Sequence, residues 1–300
     1  MYFFRREKIQ CRYQFSLRDA VDITLLQRAL TAALASAPYY TQRLVQEKRE
    51  MWLEPNTEPC LVYPGSTMRN IPEQTNGYLF CVSCEGDTVY FDWHHFLLDG
   101  HGVSPLLTSI LEQYCNLRYG TAFAVPQIVC DPPYDMDAML AEHPPVEGGS
   151  DAIQRDVVQT YEGALRRTRV CLSKQSLVEK ALANNAKPVS ALMGLLCMAM
   201  REYLGKEKIQ YSYSSDTRDV AGVPHALYNC VCSFGHTVKL QAQTRLADFV
   251  ADVDADIRRD LQPQSKRRRM TEQMGWVYKV DQQKAPLRIK QRVFQMGEYI

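Results

Sequence analysis

The chain has 300 residues, 46% of them hydrophobic and 23% charged, with 35 basic against 34 acidic side chains and a formal net charge of +1. This composition is ordinary for a globular protein and supplies enough apolar material for real cores. It excludes broad electrostatic capture of nucleic acid or of an anionic membrane, and no apolar run approaches the ~20 residues needed to span a bilayer.

The opening MYFFRREKIQ has its basic residues after a short apolar patch, the wrong order for a signal peptide. Cytoplasmic placement is the expectation, with the ten cysteines kept reduced. Ile9, Cys11, Tyr13, Phe15 and Leu17 alternate with polar residues as a half-buried strand. Asp22 then offers an N-cap to a helix with Leu25, Leu26, Ala29, Leu30, Ala33 and Leu34 on one stripe, closed by Pro38. Short extended runs at 42–45 and 51–53 precede a loop over 54–77. Tyr78–Cys84 and Thr88–His94 read as a hairpin turned by Glu85-Gly86-Asp87. A helix from about Ser104 to Tyr119 follows.

Residues 120–155 are rich in Pro, Asp and Gly, which reads as a break between lobes. The expected division is an N-terminal lobe over 1–145, a linker over 146–165 and a C-terminal lobe over 166–300. Within the latter, Thr168–Leu172 reads as a strand, Ser173 as the cap of a helix with Leu177 and Leu182, and Ser190 as the cap of another. Lys208–Ser214 is a further strand, an apolar run holds Val231 and Phe234, and Leu246–Leu261 has helical spacing. Leu287–Phe294 reads as a late strand. Strands and helices mix in both halves, so the fold class is α/β (α+β) with mixed sheets.

Cys81 and Cys84, with Cys230 and Cys232, are spaced as zinc ligands could be. Residues three apart on a strand face opposite ways, however, and no flanking histidine has finger-like spacing. Buried structural thiols are expected, and no metal.

The segment richest in chemistry is Trp93-His94-His95-Phe96-Leu97-Leu98-Asp99-Gly100. A histidine at the end of a buried strand stands where loops build sites, and its ordinary pKa suits base catalysis near neutrality. His95 shares the parity of Phe91 and Trp93, so an apolar surround that favours the neutral ring is expected. Three other readings compete. The pair could be ordinary strand-end residues, His95 and Asp99 could ligate a metal, or Asp99 could orient His95 in a triad, for which no G-x-S-x-G elbow is present.

His94-His95-Phe96-Leu97-Leu98-Asp99-Gly100 resembles the HHxxxDG signature of the chloramphenicol acetyltransferase-like superfamily, which includes nonribosomal peptide condensation domains. Ala20-Val21-Asp22, Pro38-Tyr39-Tyr40, Ser214-Ser215-Asp216-Thr217-Arg218 and Tyr228-Asn229-Cys230 resemble its flanking segments, with Tyr228 replacing a family glycine. The likeness is greatest to small bacterial alcohol acetyltransferase-like members. It implies two CoA-dependent-acyltransferase-like lobes, the second incomplete because family members run on for roughly one hundred residues. It also implies His95 as general base and Asp99 as a structural group paired with an arginine. Arg43 is the first candidate for that arginine and Arg12 the second. By the same resemblance Gly100 keeps a tunnel open and His94 is structural. The implied reaction moves an acyl group from acyl-CoA, or from a phosphopantetheine thioester on an acyl or peptidyl carrier protein, to a small alcohol or amine. No tightly bound cofactor is implied. A catalytically inactive member that binds a carrier protein or another partner is the alternative. His225 and His236 are candidates by residue type alone, and Lys266-Arg267-Arg268-Arg269 is a candidate contact for CoA phosphates that otherwise reads as a solvated face.

Overall fold

The computed structural model describes residues 10–95, 97–125, 127–144 and 171–297, the side chains of 295–297 excepted. It is a mixed α/β chain that divides into two compact units. The first holds the chain up to Met136, together with Ala221–Cys230 and the chain from Met274; the second holds Asp137–Val220 and Val231–Gln273. The expected linker over 146–165 lies outside the described residues.

In the first unit, β1 (Gln10–Ser16), β6 (Thr88–His94), β5 (Phe80–Glu85) and β4 (Val62–Pro64) form a sheet in the order β1-β6-β5-β4. The β1·β6 and β5·β6 pairs are antiparallel, and β4 joins β5 in parallel. Alternation sends Phe80, Val82, Cys84, Val89, Phe91 and Trp93 to one core. There Phe80 stacks on Phe91 at 5.4 Å. Against this face lie α1 (Ile23–Ala35) and α2 (Gly100–Tyr119), which also pack on each other. As the sequence suggests, Asp22 caps α1, accepting from Thr24 N–H and Leu25 N–H. The hairpin of β2 (Gln42–Gln46) and β3 (Met51–Pro55) stands apart as a two-stranded sheet. α9 (Leu287–Gly297) occupies the expected late strand. Its start alternates as Leu287 and Ile289, but Leu287 and Phe294, seven apart, are the residues buried together, and that is a helical period.

The other face of β6 carries Asp92, almost fully buried, clamped by Arg12 of β1 through Nε at 2.6 Å and Nη2 at 2.7 Å. This contact raises the Arg12 pKa, and the guanidinium also lies over the Tyr90 ring. Removing one partner of such a pair strands the other charge. We expect Arg12→Ala to lose about 3 kcal/mol of stability in denaturant melts, whereas loss below 1 kcal/mol would show Asp92 rehydrated.

In the second unit, β7 (Lys208–Asp216) and β8 (Val231–Lys239) pair antiparallel across their full lengths. α5 (Pro188–Leu204) and α7 (Leu246–Asp260) pack against this pair, and α4 (Lys174–Ala183) packs in turn on α5 and α7. Ser173 caps α4 as expected. Ser190 does not cap α5, which begins two residues earlier at Pro188. The cap comes from α7, where Asp254 accepts from Lys187 N–H at 2.9 Å and from the Ser190 hydroxyl at 2.6 Å. Of the strand expected over Thr168–Leu172, the described residues Cys171 and Leu172 are in no strand. α3 (Met136–Glu142), the four-residue α6 (Arg218–Ala221) and α8 (Pro263–Asp281) complete the described helices. No helix among the described residues is long and apolar enough to cross a membrane.

Candidate active site

β6 ends at His94, and the chain turns at once. His94 N–H donates to Leu79 O at 2.9 Å, and Leu97 N–H donates back to His94 O at 3.0 Å. Leu97 and Leu98 are buried and anchor the turn in the core. Side chains then capture its carbonyls one by one. Tyr39 Oη donates to Leu97 O at 3.0 Å, Trp93 Nε1–H to Leu98 O at 3.1 Å, and Tyr40 Oη to Gly102 O at 2.7 Å. Burial pushes the Tyr39 phenol far above its ordinary pKa, so it remains a donor. His95 sits in this frame, half-buried.

Asp99 begins α2. Its Oδ1 accepts from Gly102 N–H at 2.8 Å as the N-cap, and its Oδ2 accepts from Cys230 N–H at 2.9 Å. One carboxylate thus ties the motif turn to the 221–230 segment. That segment lies so close that a Cβ at Gly102 would stand 1.8 Å from Leu227 O. The docking brings Asn229 to His95: its Nδ2 is 3.0 Å from His95 Nδ1 and 3.2 Å from His95 O. Asp99→Ala removes a cap and leaves a buried N–H unsatisfied, so we expect a loss of about 2–4 kcal/mol. A wild-type melting curve with lost activity would contradict this structural role.

The orientation of the Asn229 amide and the tautomer of the imidazole are coupled. With Nδ2 toward the ring, Nδ1 accepts and Nε2 is protonated. With the isosteric amide turned over, Oδ1 would accept from Nδ1–H and the Nε2 lone pair could serve a base, but Oδ1 would then face His95 O, which Nδ2 contacts at 3.2 Å.

The structure places the remaining candidates as follows. His94 is fully buried and Gly100 opens α2, where among the described residues a Cβ would meet only the Tyr13 hydroxyl, at 3.2 Å. Arg43, expected beside Asp99, instead binds Glu54 across the β2·β3 hairpin at 2.6 and 2.8 Å. The two residues face each other in the strand register, a neighbour the arginine finds locally. Arg12 is spent on Asp92. His225 is exposed, its backbone N–H bonded to Asp131. His236, in the second unit, holds Asp260 through Nε2 at 2.6 Å. The basic run is engaged within the chain rather than simply solvated: Lys266 pairs with Asp219, Arg268 with Glu272, and Arg269 with Ser233 O and Glu272. Cys81, Cys84, Cys230 and Cys232 are buried thiols in no disulfide, and burial pushes Cys81 up to about 12 and Cys232 to about 11. Among the described residues no group of three or more His, Cys, Asp or Glu could hold a metal.

Reasoning from the sequence missed Asn229, Tyr39 and Tyr40 as parts of this site. Pro38-Tyr39-Tyr40 and Tyr228-Asn229-Cys230 stood out only as flanking segments, and nothing local signals where their side chains reach.

No family model matches the chain, and no curated protein matches it. Solved structures do match. Polyketide synthase associated protein 5 from Mycobacterium tuberculosis is 18% identical with a TM-score of 0.64, over 86% of this chain and 71% of that one. The epimerization domain from the third module of tyrocidine synthetase B is 14% identical with a TM-score of 0.57, over 86% and 68%. The first condensation domain of the CDA synthetase is 15% identical with a TM-score of 0.55, over 86% and 69%. At these identities the likeness is one of fold, and the fold is the mixed α/β CoA-dependent acyltransferase fold of condensation domains.

Proposed function

We propose that this chain is an acyltransferase that moves an acyl group from a thioester to an alcohol or amine, with His95 as general base. The donor is acyl-CoA or an acyl group on the phosphopantetheine of a carrier protein. The observation that carries the reading is the placement of His95: a half-buried imidazole at the end of β6, in a turn whose carbonyls are held by Tyr39 and Trp93 and whose next helix is capped by Asp99. In the step, which requires the Asn229 amide turned so that Oδ1 accepts from Nδ1–H, Nε2 takes the proton of the acceptor as its oxygen or nitrogen bonds to the thioester carbon. The tetrahedral intermediate then expels the thiolate, and the imidazolium returns the proton to sulfur. Atoms balance with no added reagent. The fold shared with condensation domains supports the reading. So does the rigidity of the motif turn, because a base contributes only when its geometry is held.

The test incubates the intact chain with acetyl-CoA, and separately with an acetylated carrier protein, against short series of alcohols and amines, following thiol release. His95-dependent release from either donor supports the reading. No release from either, with carrier protein still bound, would replace it by the non-catalytic binding alternative.

A further inference from the structure

The second unit contains a cavity of its own, of about 310 Å³, among β8, α7 and α8. Three arginines line it: Arg259 at the end of α7, and Arg268 and Arg269 on α8. The other titratable groups in its wall are His236, Asp260 and Glu272. The uncharged lining is Phe234, Gly235 and Ser265. Guanidiniums therefore outnumber carboxylates around one small polar space. Gathering like charges is unfavourable unless something of the opposite sign compensates them.

The hydrogen bonds show which groups are spent. Asp260 Oδ2 accepts from the Tyr213 hydroxyl at 2.7 Å and meets His236 Nε2 at 2.6 Å. Glu272 accepts from Arg268 Nε at 2.8 Å and from Arg269 Nη1 at 3.4 Å. Arg259 uses Nη2 on Asp256, and Arg269 uses Nε on Ser233 O. Both wall carboxylates are thus occupied, whereas each guanidinium has N–H groups to spare. Among the described residues, Arg268 Nη1 and Nη2, Arg259 Nε and Nη1, and Arg269 Nη2 donate to no acceptor in the chain. The Arg259 and Arg268 side chains are 65% and 52% exposed, so a solute can reach them. Ser265 lies in the first turn of α8, the end of a helix that favours negative charge.

We propose that this cavity binds a phosphate dianion, free or as a phosphomonoester on a small molecule, through the spare N–H groups of Arg259, Arg268 and Arg269 with the Ser265 hydroxyl as a further donor. Planar guanidinium forks match the oxygens of phosphate, and charge-assisted bonds of this kind are the strong ones. The ligand would join α7 to α8, so its binding should stabilise the fold. The inference goes beyond the acyl-transfer reading and uses neither His95 nor Asn229.

The test follows inorganic phosphate binding to the intact chain by calorimetry and melting curves, with sodium acetate and sodium chloride at matched ionic strength as comparisons. Phosphate is expected to raise the melting temperature most and chloride least. Arg268→Ala should weaken phosphate about tenfold. It strands no charge, because Glu272 keeps Arg269. Arg259→Ala should weaken phosphate likewise, and serves if the first variant does not fold. Arg245→Ala removes the same charge about 20 Å away, at the other end of α7, and should bind as the wild type does. CoA and dephospho-CoA, which differ by one phosphomonoester, separate the two sources of the anion. Preference for CoA that Arg268→Ala removes would place the phosphate on the thioester donor; equal binding of the two would leave free phosphate as the ligand. His95→Ala should bind phosphate unchanged, so a failed acyl-transfer assay leaves this inference standing. Equal effects of phosphate and chloride, or unchanged affinity in the Arg268 and Arg259 variants, would overturn it.

Discussion

His95→Ala is expected to lower thioester turnover about a thousandfold, the middle of the range for loss of a positioned general base. The effect should fall on kcat, with KM for the thioester nearly unchanged, because the proton transfer is made only in the transition state. Stability should hardly move: the ring is half-buried, and the turn around it is held by Tyr39, Trp93 and Asp99 rather than by His95. Asn229 supplies the discriminating variant. Asn229→Asp places an acceptor that cannot be turned over beside Nδ1, fixing the proton there and keeping the Nε2 lone pair for the base role. Asn229→Ala leaves the tautomer unguided. If His95 is a base, the aspartate variant keeps turnover within about tenfold while the alanine variant loses more. The reverse order would assign His95 the role of a hydrogen-bond donor. Steady-state kinetics on the three variants, with melting curves as controls, decide this.

Gly102→Ala is expected to be strongly damaging for a single added methyl. The new Cβ would stand 1.8 Å from Leu227 O, a backbone atom. Gly102 cannot retreat, since its N–H is held by Asp99 and its carbonyl by Tyr40. The 221–230 segment would have to move instead, carrying Asn229 and Cys230 away from His95 and Asp99. Overpacking of this kind costs about 3 kcal/mol, and displacing a catalytic constellation by about 1 Å costs on the order of a hundredfold in rate. Gly100→Ala is the matched control: among the described residues its Cβ meets only the Tyr13 hydroxyl at 3.2 Å, the far end of a side chain. It should lose less than about 1 kcal/mol. Equal melting temperatures for the two variants would show that the 221–230 segment yields freely.

The contrast between these glycines shows what was legible in the sequence. Features set within a few residues could be read there: the bounds of β6, the Asp22 and Ser173 caps, and the helical spacing of α7. Features set by distant chain could not. The cap of α5 is a carboxylate 67 residues away, so the local serine misplaced the helix start. α2 begins at Gly100 rather than near Ser104 because Asp99 caps it, although two early glycines suggest a loop. In the site, His95 and Asp99 carry their own signal in the motif. Tyr40 reaches its carbonyl across 62 residues and Asn229 its histidine across 134. Arg43 shows the opposite error: a long-range pairing was expected, and the adjacent strand already offered Glu54.

The 221–230 segment also has a consequence for biogenesis. It belongs to the first unit, although the chain on both sides of it belongs to the second. The histidine loop therefore leaves the ribosome 134 residues ahead of its asparagine, an interval of roughly ten seconds at ordinary elongation rates. Until then Asp99 Oδ2 lacks Cys230 N–H, and the face of Gly102 that Leu227 will cover is open. A nascent chain that stops before residue 221 would carry the whole HHxxxDG motif, yet its histidine would have no partner at Nδ1 from this segment. Recombinant expression of the first 136 residues alone would isolate the signature and leave the site unassembled.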